Sequence, residues 1–245
     1  MGAKQSQWTW GLWGVGAGVL GMIGHLFSST DLSDEARLSG VGVINELDYQ
    51  QYHIGVVAGM PAVFCLLVFT AGWRRWAGQH APASLAADVA ALAFVASAGA
   101  MILGYGFKGS LATYLPGAPE ANSYPPENLV SVFMFDDFGP FIAWYGAAMA
   151  AVAIAWLSLR ERSLPIWIGI VSALFGGLPY AILIWRGLPG FPGVIDPIWI
   201  VVFGIAMSLQ SRKRVERPAL QTAAADECEF GNKPGGFARG YTALK

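Results

Sequence analysis

Charged side chains are scarce in this sequence. Only 13% of its 245 residues are Asp, Glu, Lys or Arg, whereas a soluble domain carries about 25%. Hydrophobic residues make up 55% of the chain, and they are gathered in runs longer than the ~18 residues that mark a transmembrane helix. The composition therefore predicts a membrane protein. The net charge of −1 makes nucleic acid an unsuitable partner.

Cysteine is also scarce, and its placement excludes two kinds of site. Cys65 lies in an apolar run and Cys228 in a polar tail, with no CxxC spacing. We expect neither a disulfide nor a structural metal from this pattern. The first apolar run ends without a small-residue cleavage site, so we interpret it as a retained helix and not as a signal peptide.

The apolar runs predict an all-α, polytopic membrane bundle of about six transmembrane helices. The predicted spans are residues 8–28, 52–73, 84–106, 130–159, 164–185 and 191–210. The fourth run is long enough for two interpretations, a tilted span or an interfacial turn followed by a shorter span. The polar stretch 211–245 is predicted to be a disordered cytoplasmic tail.

The distribution of basic residues predicts the orientation of these spans. Twelve of the fifteen Lys and Arg residues fall at the N-terminus, after the even-numbered spans, or in the tail. The positive-inside rule then predicts that both termini are cytoplasmic, in a bacterial-type inner membrane.

Two outer segments and two glycine patterns complete the predicted architecture. Residues 29–51 begin with helix-capping and acidic residues, which predicts a short surface helix, whereas the Pro- and Gly-rich residues 107–128 predict a loop. Small-residue faces in a membrane usually meet another helix. The glycine faces of the first two spans therefore predict close helix packing and are candidate contacts in a homo-oligomer or with other subunits of a membrane complex.

Asp136 and Asp137 are the most informative polar residues, because carboxylates inside a span are costly and often functional. Helical periodicity aims Asp136 inward, on a face with Ala143 and Ala147, and aims Asp137 toward Phe141 and Trp144. We interpret the latter face as a lipid-facing or interface surface, since aromatic residues are typical of the headgroup region. If the span begins near residue 129, Asp136 is a candidate acid within the membrane; alternatively, one of the two carboxylates caps a helix at the membrane surface.

The two histidines near the outer membrane surface have different predicted surroundings. His25 lies on the glycine face of the first span and is therefore expected to point at protein. It is either a hydrogen-bonded packing residue or a second candidate for proton transfer or ligand binding. His53 lies off the glycine face of its own span and can face water. Together the two are weak candidates for a metal or single-haem site.

Further polar residues cluster on the predicted outer side. Asp196 precedes Pro197, a pattern typical of a helix N-cap, although an irregular segment entering the membrane is the alternative. Candidate binding residues on the same side are Arg186, Tyr180, Lys108 and Asp137, together with Asp196. Either Arg186 or Lys108 is positioned to neutralise Asp136.

Three functional hypotheses follow from these residues. The leading one is an outward-facing polar pocket that binds or converts a small, mostly apolar molecule, with Asp136 as acid or anchor and His25 in support, as in a cyclase- or isomerase-like membrane enzyme. The second is a non-catalytic accessory subunit of a membrane complex. The third is a metal or single-haem redox protein. The sequence requires no cofactor and does not name the ligand.

Overall fold

The computed structural model describes residues 6–26, 32–187 and 191–210. Within these ranges the chain is almost entirely helical and contains no strand, which confirms the predicted all-α class. The predicted tail 211–245 lies outside the described residues. The helices, numbered in chain order, are α1 (Ser6–His25), α2 (Asp34–Leu38), α3 (Tyr49–His80), α4 (Leu85–Tyr114), α5 (Pro126–Ile142), α6 (Tyr145–Leu159), α7 (Ile166–Arg186) and α8 (Phe191–Gln210).

Four of these helices, α3, α4, α7 and α8, are long and apolar enough to cross a membrane, and α6 is a shorter apolar helix. Many large hydrophobic side chains lie exposed along them, for example Leu92 and Leu103. Such surfaces suit a lipid surrounding better than water. The protein is therefore a membrane-embedded helical bundle, while the six-span count and the position of the termini remain predictions.

The short surface helix predicted between the first two spans is present as α2. The side chain of Ser33 caps it by accepting a hydrogen bond of 3.1 Å from the backbone N–H of Ala36, as its capping pattern predicts. A 3₁₀ helix over Gly40–Glu46 follows. Together they form a cap, called the outer cap because the predicted orientation places it outside. Its buried apolar residues pack on the adjoining ends of α3, α4 and α5, in a cluster that contains Leu32, Ala36, Val43, Ile44, Leu47, Tyr52, Leu111, Leu115 and Leu129.

The predicted loop over residues 107–128 is partly wrong, because α4 continues to Tyr114. The extra turns are stabilised by packing, since Leu111 is fully buried in the cluster beneath the cap. Only residues 115–125, before the start of α5, form turns, and Gly117 and Asn122 in them have positive φ.

The long fourth run is divided into α5 and α6 at Ala143 and Trp144. Pro140 has no N–H to donate to the carbonyl of Asp136, which weakens the helix one turn before the break. The N–H of Trp144 donates instead to the carbonyl of Phe141, three residues earlier, with an N···O distance of 3.2 Å. The run is therefore two helices and not one tilted helix, while an interfacial turn before a shorter span stays a prediction.

The bundle core is aromatic and joins α3, α4 and α8. The Phe69 ring lies 5.4 Å from that of Phe94 and 5.9 Å from that of Phe203, both edge-on. Trp199 stacks on Phe203 at 5.3 Å and donates a hydrogen bond of 3.1 Å to Ser172 of α7. These side chains are buried, so the core fixes the relative positions of four helices.

The predicted glycine faces of α1 and α3 pack against other helices of the same chain. A Cβ at Gly18 would meet the backbone carbonyl of Pro197 in α8, and one at Gly21 would meet the indole of Trp144. A Cβ at Gly59 of α3 would collide with the ring of Tyr105. The predicted close helix packing is therefore intramolecular at these positions, while contacts with other subunits stay a prediction.

Candidate functional site

Asp136 and Lys108 form a buried ion pair between α5 and α4. The Lys108 ammonium donates to Oδ2 of Asp136 at 3.2 Å, and both side chains are buried. Of the two predicted partners, Lys108 therefore neutralises Asp136. The other oxygen, Oδ1, has no hydrogen-bond partner among the described residues. It remains a buried acceptor, which is costly unless something donates to it.

The ion pair lies where the outer cap meets the membrane bundle. The Lys108 ammonium sits 5.1 Å from the centre of the Tyr52 ring in a cation–π contact, and Tyr52 belongs to the cap cluster. Tyr52 and the cluster around it thereby cover one side of Lys108. Burial of this kind strengthens the attraction between the two charges.

An apolar groove of about 640 Å³ lies on the exposed surface of α4 and α5, the two helices that carry the ion pair. Its lining consists of aromatic and aliphatic side chains with one hydroxyl, namely Phe107, Ser131, Met134, Phe135, Phe138, Gly139 and Ile142. Phe107 precedes Lys108 in sequence, and Gly139 lies three residues after Asp136. The charged pair therefore shares its two helices with the groove but does not line it.

The remaining candidate binding residues do not join this site. Asp137, the next residue of α5 after Asp136, is exposed. Arg186 is exposed at the end of α7, where its guanidinium lies 4.9 Å from the ring of its neighbour Trp185, and Tyr180 is half-buried on the same helix. The predicted lipid-facing surface is wrong for Trp144, which is fully buried, because the helix break turns it into the bundle.

His25 is buried at the end of α1, as the glycine face predicted. Its Nδ1 contacts the carbonyl of Gly21, one turn earlier, at 2.5 Å, and its Nε2 contacts the carbonyl of Gly193 in α8 at the same distance. Phe141 packs edge-on against the imidazole at 5.3 Å. His53 is exposed on α3. Because both nitrogens of His25 face carbonyl oxygens, this geometry offers no lone pair to a metal or haem.

The predicted N-cap at Asp196 is wrong. α8 begins at Phe191 and runs unbroken through Asp196 and Pro197, so Asp196 lies inside a helix. Proline removes the N–H that would pair with the carbonyl four residues earlier, and that carbonyl belongs to Gly193. The contact with His25 occupies the freed carbonyl, which explains how α8 tolerates an internal proline.

Asp196 itself is fully buried, and neither of its oxygens has a hydrogen-bond partner among the described residues. The indole N–H of Trp144, whose ring lies 6.0 Å from that of His25, is likewise unpaired in the described structure. Unpaired buried polar groups are rare and call for an explanation.

Sequence reasoning missed two residues that shape these clusters. Tyr52 covers Lys108, and Tyr105, fully buried, donates a hydrogen bond of 3.4 Å to the carbonyl of Gly21. A signal existed for Tyr105, since it lies three residues before Lys108 and hence on the same face of α4. Tyr52 carried no comparable signal, because its role depends on the fold of the cap.

The described part of the bundle thus contains two polar clusters, the ion pair of Lys108 with Asp136 and the buried His25 and Asp196 on either side of the Gly193 contact, together with an apolar groove. Tyr105 lies between the clusters, since its hydroxyl shares the Gly21 carbonyl with His25. Comparison of the chain with protein-family models, curated proteins and solved structures gives no match.

Proposed function

We propose that this membrane protein binds a small, mostly apolar molecule with a hydroxyl group in the groove between α4 and α5. Asp136 is the polar anchor of the ligand. The observation that carries this proposal is the unpaired Oδ1 of Asp136 on α5, the helix that supplies most of the groove's lining. A hydroxyl reaching past Gly139 would donate to this oxygen, while the rest of the ligand packs on Phe107 and Phe135.

The chemistry of the wall supports an apolar ligand. The lining residues supply aromatic and aliphatic surface, and Ser131 is the polar side chain among them. Binding sites for small apolar molecules combine such surfaces with very few oriented polar groups. Met134, Phe135 and Phe138 all have exposed surface, so a ligand reaches the groove sideways from the lipid phase.

The ion pair favours anchoring over acid catalysis. Asp136 accepts a hydrogen bond from Lys108, and a carboxylate in this role accepts further hydrogen bonds but has no proton to donate. Conversion of the ligand by Asp136 would first require protonation of Oδ1. Binding is therefore the activity that we propose, in a bacterial-type inner membrane with both termini cytoplasmic.

Photo-crosslinking in lipid nanodiscs tests the proposal. The probe is a long-chain alcohol that carries a diazirine, and the competitors are dodecanol and dodecane. We expect crosslinks at the groove residues and stronger competition by the alcohol. Charge-assisted hydrogen bonds contribute about 1.5–3 kcal/mol, which corresponds to roughly 10- to 100-fold in affinity. The Lys108→Met/Asp136→Leu double variant should lose this preference for the alcohol.

Two tryptophan variants provide the control. Met134→Trp fills the groove, and Leu92→Trp adds the same side chain at a similarly exposed position away from it (66% and 70% exposed). We expect Met134→Trp to suppress crosslinking and Leu92→Trp to leave it unchanged. Labelling spread evenly over the lipid-facing surface, and insensitive to Met134→Trp, would contradict a specific site.

A second candidate function is that of an accessory subunit, favoured by α7. This helix is the least buried of the four long apolar helices and displays Trp167, Ile170 and Leu174 outward. A partner helix would cover that surface. Purification in mild detergent as a lone monomer would count against this function, whereas a stable co-purifying subunit crosslinked through Trp167 would favour it.

A further inference from the structure

His25 makes two contacts that a neutral imidazole cannot satisfy together. Its Nδ1 faces the Gly21 carbonyl and its Nε2 faces the Gly193 carbonyl. Carbonyl oxygens only accept hydrogen bonds, and a neutral histidine carries an N–H on one ring nitrogen only. At the unprotonated ring nitrogen, the nitrogen lone pair would then face a lone pair of the carbonyl oxygen. The doubly protonated imidazolium donates to both carbonyls and satisfies the whole arrangement.

An imidazolium inside the bundle requires a counter-ion, because an isolated buried charge is very costly. The ionisable Asp, Glu, His, Lys and Arg side chains that are buried in the described structure are His25, Lys108, Asp136 and Asp196. Lys108 and Asp136 already neutralise one another. The remaining two carry opposite charges when ionised, so the bundle is neutral only if they are charged together or uncharged together.

Asp196 lies close to the histidine contact along α8. It follows Gly193 by three residues, which is less than one helical turn or about 4.5 Å along the axis. Neither carboxyl oxygen has a partner in the described chain, so both remain free to accept hydrogen bonds from a donor group. The unpaired indole N–H of Trp144, beside His25, is a further donor in the same region.

We propose that the two carbonyl contacts hold His25 as an imidazolium and that Asp196, buried less than one helical turn from the Gly193 contact, is the carboxylate that balances this charge without touching the ring. The two residues together make an internal proton-binding site. The site is separate from the ligand groove and takes a proton as its ligand. The neighbouring titratable groups are Lys108, Asp136 and Tyr105 on α4 and α5; the first two cancel in charge, and Tyr105 shares the Gly21 carbonyl.

Nitrogen-15 NMR of the full-length protein in lipid bilayers tests the charge state directly. The chain has three histidines, His25, His53 and His80, so the His53→Asn/His80→Asn variant labelled with ¹⁵N-histidine reports on His25 alone. At pH 7 we expect both ring nitrogens to show protonated chemical shifts. A neutral ring would instead show one protonated and one non-protonated nitrogen, and that spectrum would overturn the proposal without affecting the ligand site.

Substitution of the counter-ion provides the second readout. Asp196→Asn in the same background should convert His25 to the neutral ring, with the appearance of a non-protonated nitrogen signal. Asp137→Asn, an exposed carboxylate on α5, is the matched control and should leave both shifts unchanged. An imidazolium that persists in Asp196→Asn would show that Asp196 is not its counter-ion. If Asp196→Asn fails to fold, the spectrum of the His25-only protein still decides the charge state.

Discussion

The free energy of burying a charge determines what substitutions at Lys108 and Asp136 do. Removing one partner of a buried ion pair costs about 3–5 kcal/mol, because the other charge stays buried and unpaired, whereas replacing both with apolar residues is often neutral. We therefore expect Lys108→Met to be strongly destabilising and Lys108→Met/Asp136→Leu to recover most of the loss. Unfolding by denaturing detergent, followed by circular dichroism, measures both.

Asp137 provides the matched control for this pair. It is adjacent in sequence but exposed, so Asp137→Asn should change the free energy of unfolding by less than about 0.5 kcal/mol. If Lys108→Met alone were as mild as Asp137→Asn, the ion pair would not be formed in the membrane.

His25 and Pro197 are coupled through a single carbonyl. Loss of the His25 ring leaves the Gly193 carbonyl without a donor, which costs about 1–3 kcal/mol for a buried acceptor. Pro197→Ala restores the backbone N–H that reaches this carbonyl within α8. We therefore expect His25→Ala to cost less, by roughly 1 kcal/mol, in the Pro197→Ala background. A double-mutant cycle of unfolding free energies measures the coupling, and strict additivity would contradict it.

Residue periodicity predicted part of the site and missed the rest. The 3.6-residue repeat correctly separated buried Asp136 from exposed Asp137 and turned His25 toward protein. Sequence spacing could not predict that Asp196 lies inside a helix. Asp-Pro is typical of a helix start. The donor that makes an internal proline tolerable is His25, which lies 168 residues before Gly193 in the chain.

At the scale of helices, the glycines differ in whether an added Cβ atom would collide with a neighbouring helix. Gly59 of α3 faces the ring of Tyr105, so an added Cβ forces a displacement, whereas Gly106 of α4 has open space around its Cβ position. Gly→Ala raises helix propensity by about 1 kcal/mol at an open site, but overpacking costs about 1–3 kcal/mol. Gly59→Ala should therefore destabilise the bundle and Gly106→Ala should not, as thermal unfolding in detergent would show. Equal effects would contradict the close approach of α3 and α4.

Helix existence was predictable from apolar runs, but helix ends were not. Helix α4 extends to Tyr114 because the cap covers Leu111 and Leu115. The burial of these two side chains outweighs the loop-forming composition of the segment. The division of the fourth run at Ala143 likewise depends on the burial of Trp144 within the bundle. Both outcomes are contacts between distant parts of the chain, which local patterns do not contain.

For the whole molecule, the outer cap and the basic clusters define opposite ends of the bundle. The cap packs on the start of α3 and the end of α4, while Arg74 and Arg75 lie near the other end of α3. Arg160 and Arg162 lie in the α6–α7 connection, at the opposite end of α6 from Trp144. An orientation with the cap outside and the arginines inside satisfies the positive-inside rule.

Cysteine labelling in intact bacterial cells tests this orientation with two exposed positions. In a background that lacks Cys65 and Cys228, Ser123→Cys places a thiol in the α4–α5 connection, and Glu161→Cys places one in the α6–α7 connection. A membrane-impermeant maleimide should label the first in intact cells and the second only after permeabilisation, because the basic loops stay in the cytoplasm. Labelling at both positions after permeabilisation confirms that each thiol is reactive. The reverse pattern would invert the bundle, and the groove and its ion pair would then open in the cytoplasmic half of the membrane, where a ligand would have to enter from the inner leaflet.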